Sequence, residues 1–381
     1  MNILILSSAF QAPYLNARLR YQCDYLTQQG HQVEVYTEPW DSLDFKHKYK
    51  IHEIGNYNQS YFKWLLISFY SLFTNYKERK FALQVLWNIR KKHFDVIMCS
   101  TSSCFPLGAA AFLSKWLHLP LHADLYSIKE LDSTEYRDIC WWNSPLLYCQ
   151  QKLYIHRRNR ALRRACSVST ISQNHADFIR AINPHIEIIN NGFDPAKFYH
   201  EDIKSETFKV CYFGYLDMMQ NRTLIHKVMR QMKDELPDIQ WLFYSNEVTT
   251  DKFATSVRPT YHGMLPDEIL GDAIRQSSVI LLIHNKEQND WQSELFYQAL
   301  GCEKPVIFTP ATNGMIPEFI QRTNLGISTK STEEFKDFII KHYQEWQQNK
   351  FTHQEVTNKD SFDASLQAKK LEQLLLSAIE P

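Results

Sequence analysis

Asn289-Asp290-Trp291-Gln292-Ser293-Glu294-Leu295-Phe296-Tyr297-Gln298-Ala299-Leu300-Gly301-Cys302-Glu303-Lys304-Pro305-Val306-Ile307 reads as a loop, a helix and a buried strand in succession. Asp290 or Ser293 can cap the helix, because a short side-chain oxygen accepts a hydrogen bond from an otherwise orphaned backbone N–H. Leu295, Ala299 and Leu300 fall at helical spacing, and Gly301 sits where the helix could stop. Pro305 then opens a strand through Val306, Ile307 and Phe308. A loop feeding a helix N-terminus at the mouth of an α/β sheet is an anion site, since free N–H groups and the helix dipole both face outward.

Working outward, the flanking sequence repeats this alternation. Ile3 to Leu6 is an all-apolar strand of the kind that parallel sheets bury on both faces. Ala17 to Gln29 reads as a helix stopped by Gly30, and His31 to Tyr36 as the second strand. Further strands are expected at Asp95–Cys99, within Leu119–Leu125, and at Ser167–Ser172, Ile186–Ile189, Phe208–Phe213, Ile239–Tyr244 and Val279–Ile283. Helices are expected between them, with a last one over Phe362–Ile379. Catalytic groups in open α/β sheets gather at the carboxyl ends of strands, which makes His122, Asp124 and Tyr126 candidates. A lone histidine beside a strand is more often a satisfied structural residue.

The chain of 381 residues is too long for one compact core and suggests two domains, and 44% hydrophobic residues can fill both. A formal net charge of zero argues against bulk nucleic-acid binding. Eight cysteines show no Cys-x-x-Cys and no His/Cys cluster at zinc spacing, which suits a reducing cytoplasm and no structural metal. Ten glycines leave no Gly-rich loop of the Walker or dinucleotide-binding kind. The opening Met1–Leu6 carries no positive region and reads as a first strand, not a signal peptide. Tyr61–Phe73 is the most apolar stretch, too short for a membrane span. It reads either as a core helix or as an interfacial helix at a membrane surface. Tyr148–Arg164 is a basic helix, either a solvated face or a surface attracted to anionic lipid.

The focal stretch resembles the donor-nucleotide segment of retaining glycosyltransferases with the GT-B fold, the large family 4 group. In that family a Glu, seven intervening residues and a second Glu precede a Cys-Gly-Lys-Pro-Val type strand. Here the first place holds Asp290 and the second Gln298, with Glu294 a rival acid between them. Asn190-Asn191-Gly192-Phe193-Asp194-Pro195-Ala196-Lys197-Phe198 resembles the family's interdomain Asn-Gly-x-Asp…Phe signature. Tyr261–Pro266 is similar to its base-recognising turn. The chain departs from the family where paired glycines would stand in the first loop, and at Tyr215 and Gln220, where an Arg and a Lys are common.

The resemblance implies two Rossmann-like, doubly wound domains facing across a cleft. An acceptor-side domain is expected over residues 1–196, a donor-side domain over 197–358, and a crossing helix over 359–381. It implies transfer of a sugar from a UDP- or GDP-sugar to a glycan or lipid-linked acceptor, with retention and without a metal. The expected setting is bacterial surface-polysaccharide assembly in the cytoplasm, with peripheral membrane contact. Gly214, Arg222 or Lys227, and the N–H groups from Ser293 through Glu294 to Leu295 are expected at the phosphates. His262, Gly263 and Met264 are expected at the base, Gln298 at the ribose and Asp290 at the sugar. The acceptor is expected near Arg18, His122 and Asp124, and Asp290, His122 and Asp124 form the expected catalytic set. A nucleotide-sugar epimerase of the same architecture and a degenerate nucleotide-sugar-binding protein are the alternatives.

Overall fold

The computed structural model describes residues 1–8, 10, 17–39, 48–55, 70, 74–102, 104–214, 222–245, 259–283, 293–311 and 314–379. The chain divides into two compact units, Met1–Asn190 with Ala364–Pro381, and Asn191–Asp363. The crossings fall inside the Asn190–Phe198 signature and just after Phe362.

The first unit is built on seven parallel strands. In chain order they are β1 (Asn2–Ser7), β2 (Gln32–Thr37), β3 (Lys50–Glu53), β4 (Val96–Thr101), β5 (Leu121–Leu125), β6 (Ser167–Thr170) and β7 (Ile186–Ile188). The sheet order is β3-β2-β1-β4-β5-β6-β7, so the chain winds outward in both directions from β1 and β4. Every residue of β4 and β5 is buried, as central strands covered by helices on both faces require, including the polar Ser100, Thr101, His122 and Asp124. One face is closed by helices Ala17–Gln28 and Ala364–Ile379. There Leu19, Cys23, Leu26, Leu371 and Leu375 pack on Ile3, Ile5 and Met98. On the other face Phe81, Val85, Leu107, Ala110 and Leu113 pack on Leu4, Leu6 and Ile97.

The second unit carries six parallel strands, β8 (Lys209–Phe213), β9 (Gln240–Tyr244), β10 (Thr260–His262), β11 (Val279–Ile283), β12 (Val306–Thr309) and β13 (Gly326–Ser328). Their order is β10-β9-β8-β11-β12-β13. Tyr261 and His262, read in the sequence as part of a turn, pair instead as strand β10 beside β9. The extended Thr-Tyr-His run explains the difference, since aromatic and β-branched residues suit a pleated edge.

The focal helix spans Glu294–Gly301, with Ser293 as its N-cap. Gly301 is its last helical residue, and the chain leaves the helix through Cys302 and a left-handed Glu303 (φ 55°). The glycine therefore serves packing and not termination. A Cβ at Gly301 would lie 2.7 Å from the Phe198 carbonyl oxygen and 2.8 Å from Phe193 Cδ2. The signature segment is thus seated against the helix that leads into β12. Gly301→Ala is expected to cost about 1–3 kcal/mol by overpacking and to lower the thermal midpoint of the second unit. An unchanged midpoint would mean that Phe198 gives way freely.

Candidate functional site

In the second unit, β8, β11 and β12 are adjacent and parallel, so whatever follows them shares one edge of the sheet. Gly214 follows β8 at φ 133°, a conformation that side chains rarely adopt. The Glu294–Gly301 helix begins after β11, and its Ser293 cap makes no side-chain hydrogen bond to the first turn. Ser293 and Leu295 are buried and Glu294 is half-buried, so Leu295 can offer a ligand only its backbone. Thr309 closes β12 with a fully buried hydroxyl that has no hydrogen-bond partner among the described residues. A second helix, Met315–Thr323, starts beyond it at Gly314.

Three rings continue this edge across the neighbouring strands. Phe213 and Tyr244 are register partners on β8 and β9, with ring centroids 4.9 Å apart and planes at 4°. Tyr244 and His262 are register partners on β9 and β10, also 4.9 Å apart, at 20°. The outer ring, His262, is exposed, Gly263 has open space where a Cβ would stand, and Met264 is half-buried. Strands lie about 4.8 Å apart, so His262 stands roughly 10 Å along the edge from Gly214. Gln298 is half-buried on the focal helix. Arg222 caps the Thr223–Glu235 helix and Lys227 is exposed one turn further on. Asp290, Tyr215 and Gln220 lie outside the described residues.

A polar seam runs along the first sheet, from the carboxyl side of β4 and β5 at Ser100 and Asp124 toward the amino ends of β5 and β6 at His122 and Ser167. Asp124 on β5 is in register with Ser100 on β4 and Ser169 on β6, and His122 with Ser167. Because side chains alternate along a strand, residues 122 and 124 share a face. The Asp124 carboxylate accepts from both serine hydroxyls, at 2.8 Å from Ser100 and 2.6 Å from Ser169. Arg18 Nη1, on the covering helix, approaches its two oxygens at 2.9 and 2.8 Å. Arg18 Nη2 also donates to the Ile189 carbonyl at 3.0 Å. His122 Nδ1 and Nε2 lie 2.8 and 3.0 Å from the Ser167 and Ser169 hydroxyls.

His122 is fully buried and Asp124 is 1% exposed, so the structure sets both in the interior of the first unit. Burial lowers the His122 pKa to about 4, which the nearby Asp124 charge opposes and Arg18 reinforces. Arg18, 13% exposed, and the half-buried Ser167 are the members of the network that reach solvent. The seam was half legible in advance. His122 and Asp124 stand out in the sequence, whereas Ser100, Ser167 and Ser169 emerge only once the register is known. The ring stack was missed, although three strands ending in Phe, Tyr and His carried the signal.

The basic helix spans Pro145–Leu162. Its Arg158 is buried in a bidentate pair with Glu130, at 2.7 and 2.8 Å, and is no part of a solvated face. Of the apolar stretch Tyr61–Phe73 only Tyr70 lies within the described residues. Among those residues no helix is long and apolar enough to cross a membrane, and no three His, Cys, Asp or Glu side chains gather to hold a metal ion.

Comparison with known proteins gives this architecture its class. The chain is similar over its full length to sucrose-phosphate synthase from Thermosynechococcus elongatus, at 14% identity and a TM-score of 0.68, covering 99% of this chain and 100% of that one. It is similar to the Anabaena protein HepE in complex with UDP-glucose, at 15% identity and a TM-score of 0.66, with the same coverage. A UDP-N-acetylglucosamine 2-epimerase also matches, at 11% identity and a TM-score of 0.57, over 99% of this chain and 96% of that one. The chain has the GT-B fold. Residues 16–197 match the family described as Glycosyltransferase Family 4. A comparison with curated proteins finds no match.

Proposed function

We propose that this chain transfers a sugar from a nucleotide-sugar donor to a glycan or lipid-linked acceptor, with retention and without a metal ion. The observation that carries the reading is the edge of the second sheet, where β8, which leads into Gly214, lies beside β11, the strand that precedes the Glu294–Gly301 helix, whose Ser293 cap makes no side-chain hydrogen bond to the first turn. Breaking a glycosyl phosphate bond leaves charge on a diphosphate, and oriented backbone N–H groups at a helix start stabilise that charge without reorganising. The diphosphate lies against Ser293–Leu295 and Gly214, with Arg222 or Lys227 adding positive charge. The base reaches along the edge to His262, Gly263 and Met264, the ribose meets Gln298, and Asp290 meets the sugar. On the acceptor side Arg18 is the contact, and Asp124 and His122 are positioning residues behind it. The UDP-glucose complex of HepE supports a UDP-sugar donor. The setting is cytoplasmic, at the inner face of a membrane, in surface-polysaccharide assembly.

Titration calorimetry with UDP- and GDP-sugars in excess chelator tests the reading. Metal-free binding is expected, and binding that the chelator abolishes would overturn metal independence. Release of nucleoside diphosphate only when an acceptor is present marks a transferase. The epimerase likeness motivates the second reading, which predicts epimer formation without acceptor. Binding with neither outcome marks a degenerate binding protein. Gln298→Ala is expected to weaken donor binding roughly three- to tenfold, the cost of about 0.5–1.5 kcal/mol for a neutral hydrogen bond, with turnover little changed. Asp290→Asn is expected to reduce turnover more than affinity, because it acts as charge develops.

A further inference from the structure

The first unit holds a cleft that the donor chemistry does not use. It lies among helices Tyr76–Ile89, Leu107–Leu117 and Pro145–Leu162 and encloses about 980 Å³. That is room for a ligand far larger than a phosphate ion. Its lining joins two chemistries. Phe105, Ala111, Phe112, Ile139 and Leu147 give it apolar walls. Eight Lys and Arg side chains, among them Arg79, Lys115, Lys129, Arg157 and Arg160, face a single carboxylate, Glu78. In a chain whose charges otherwise cancel at 42 of each sign, that is a strong local concentration.

The one acid is already engaged. Glu78 Oε2 accepts the Ala109 N–H at 2.7 Å, so it caps the start of the Leu107–Leu117 helix from outside. The side-chain cations, not the helix terminus, are thus what the cleft offers an anion. Lys77 pairs with Glu38 at 2.8 Å, whereas Arg79, Lys115 and Arg160 have no carboxylate in ion-pair range among the described residues. Two lining polar atoms are buried without a partner there, Tyr136 Oη and Asn75 Oδ1. Burial pushes the Tyr136 phenol up to about 12, so it remains a donor at neutral pH. A buried hydroxyl without a partner is costly, and a ligand oxygen would satisfy it.

The rim identifies the occupant. Trp116 follows the lining Lys115 and stacks on the lining Phe112 at 6.1 Å. Trp141, Trp142 and Leu146 lie between the lining Ile139 and Leu147, and all are exposed, Trp142 to 87%. Exposed tryptophans beside lysines and arginines suit a membrane–water interface, where the rings sit at headgroup level and each nearby cation is drawn to anionic lipid. A soluble phosphate would use the cations but neither the apolar walls nor the rim.

We infer that this cleft binds the phosphate-bearing headgroup and adjoining chain of an anionic phospholipid, and so docks the first unit on a membrane surface. The inference deepens the membrane contact proposed above and rests on that reading alone, not on sugar transfer. The test uses the full chain with vesicles of phosphatidylglycerol or phosphatidylcholine, sedimented at low and high salt. Salt-sensitive binding to phosphatidylglycerol alone is expected. The double variant Arg157→Gln with Arg160→Gln is expected to weaken it at least tenfold, and Tyr136→Phe more modestly, with UDP-sugar binding unchanged as the check of folding. The exposed pair Arg230→Gln with Lys341→Gln, from the second unit, is expected to leave vesicle binding unaltered.

Vesicle binding that ignores the cleft variants, or that falls equally with the control pair, would overturn the cleft as the site. Soluble glycerol phosphate binding as tightly as vesicles would overturn the lipid as the occupant. Intact UDP-sugar binding in any of these outcomes leaves the transferase reading standing.

Discussion

Replacing Asp124 by alanine is expected to destabilise the first unit by about 3–5 kcal/mol, because it removes one partner of a buried ion pair and strands the other. Arg18 would keep its charge in the first turn of its helix, with the Ile189 carbonyl at 3.0 Å as the hydrogen-bond partner left to it among the described residues. Ser100 and Ser169 would each lose their acceptor. For a unit of this size the loss corresponds to a fall on the order of 10 °C in its calorimetric midpoint. The chain divides into two compact units, and multi-domain chains need not unfold in one step, so the transition belonging to the first must be followed by itself. Asp124→Asn keeps the volume and one acceptor oxygen for a serine hydroxyl, while the serine facing its NH2 must turn to accept, and it is expected to cost less than alanine. The result bears on function as well as stability. An acid that acted directly on substrate would give a stable alanine variant with lost turnover, and that combination would refute the positioning role.

The alternation of apolar strands and amphipathic helices was legible because parallel strands buried on both faces leave unbroken hydrophobic runs, as in Val279–Ile283 and Ile3–Leu6. Short edge strands were harder. Lys50–Glu53 at the outer end of the first sheet is only partly buried, and its Lys-Ile-His-Glu sequence carries no hydrophobic period. Gly301 shows a different limit. A glycine after a helical run signals a stop, but here the demand for a bare Cα comes from Phe198, about a hundred residues earlier, which periodicity does not see. The polar seam fails in the same way, since Ser100 and Ser169 owe their meaning to strand register. The cleft of the first unit was signalled by the Arg157–Arg164 run, yet which arginines face it depends on Arg158 turning inward to Glu130. The Glu294–Gly301 helix and the strand after it were legible in the local sequence. A loop leading to a helix N-terminus is a local feature, and its chemistry follows from backbone geometry alone.

Lowering the pH from 7 to 4.5 is expected to cost the first unit about 2 kcal/mol through His122 alone. An unfolded histidine binds a proton below about 6.5. In the folded unit the ring stays neutral until pH falls to about 4, because burial disfavours the charged form. Between those values the unfolded state binds more protons than the folded one, so stability falls as pH falls and is regained above 6.5. Glu78 in the same unit also titrates on this path, since burial raises its carboxyl to about 7, and in the second unit burial lowers the pKa values of His226 and His342. The His122 share is therefore read by difference. His122→Asn, which keeps a polar side chain between Ser167 and Ser169, is expected to lose some stability at pH 7. Its further loss on going to pH 4.5 should be smaller than that of the unaltered chain by about 2 kcal/mol. Parallel curves for the two proteins would show that the ring already carries its proton, or reaches water, in the folded state. The same titration limits the chemistry. A ring that stays neutral at pH 7 supplies no positive charge to a phosphate, and one with its pKa near 4 is a weak base there. The pH profile of turnover should accordingly show no His122 titration near neutrality, and the hydrogen bonds that link His122 to Arg18 run through Ser169 and Asp124.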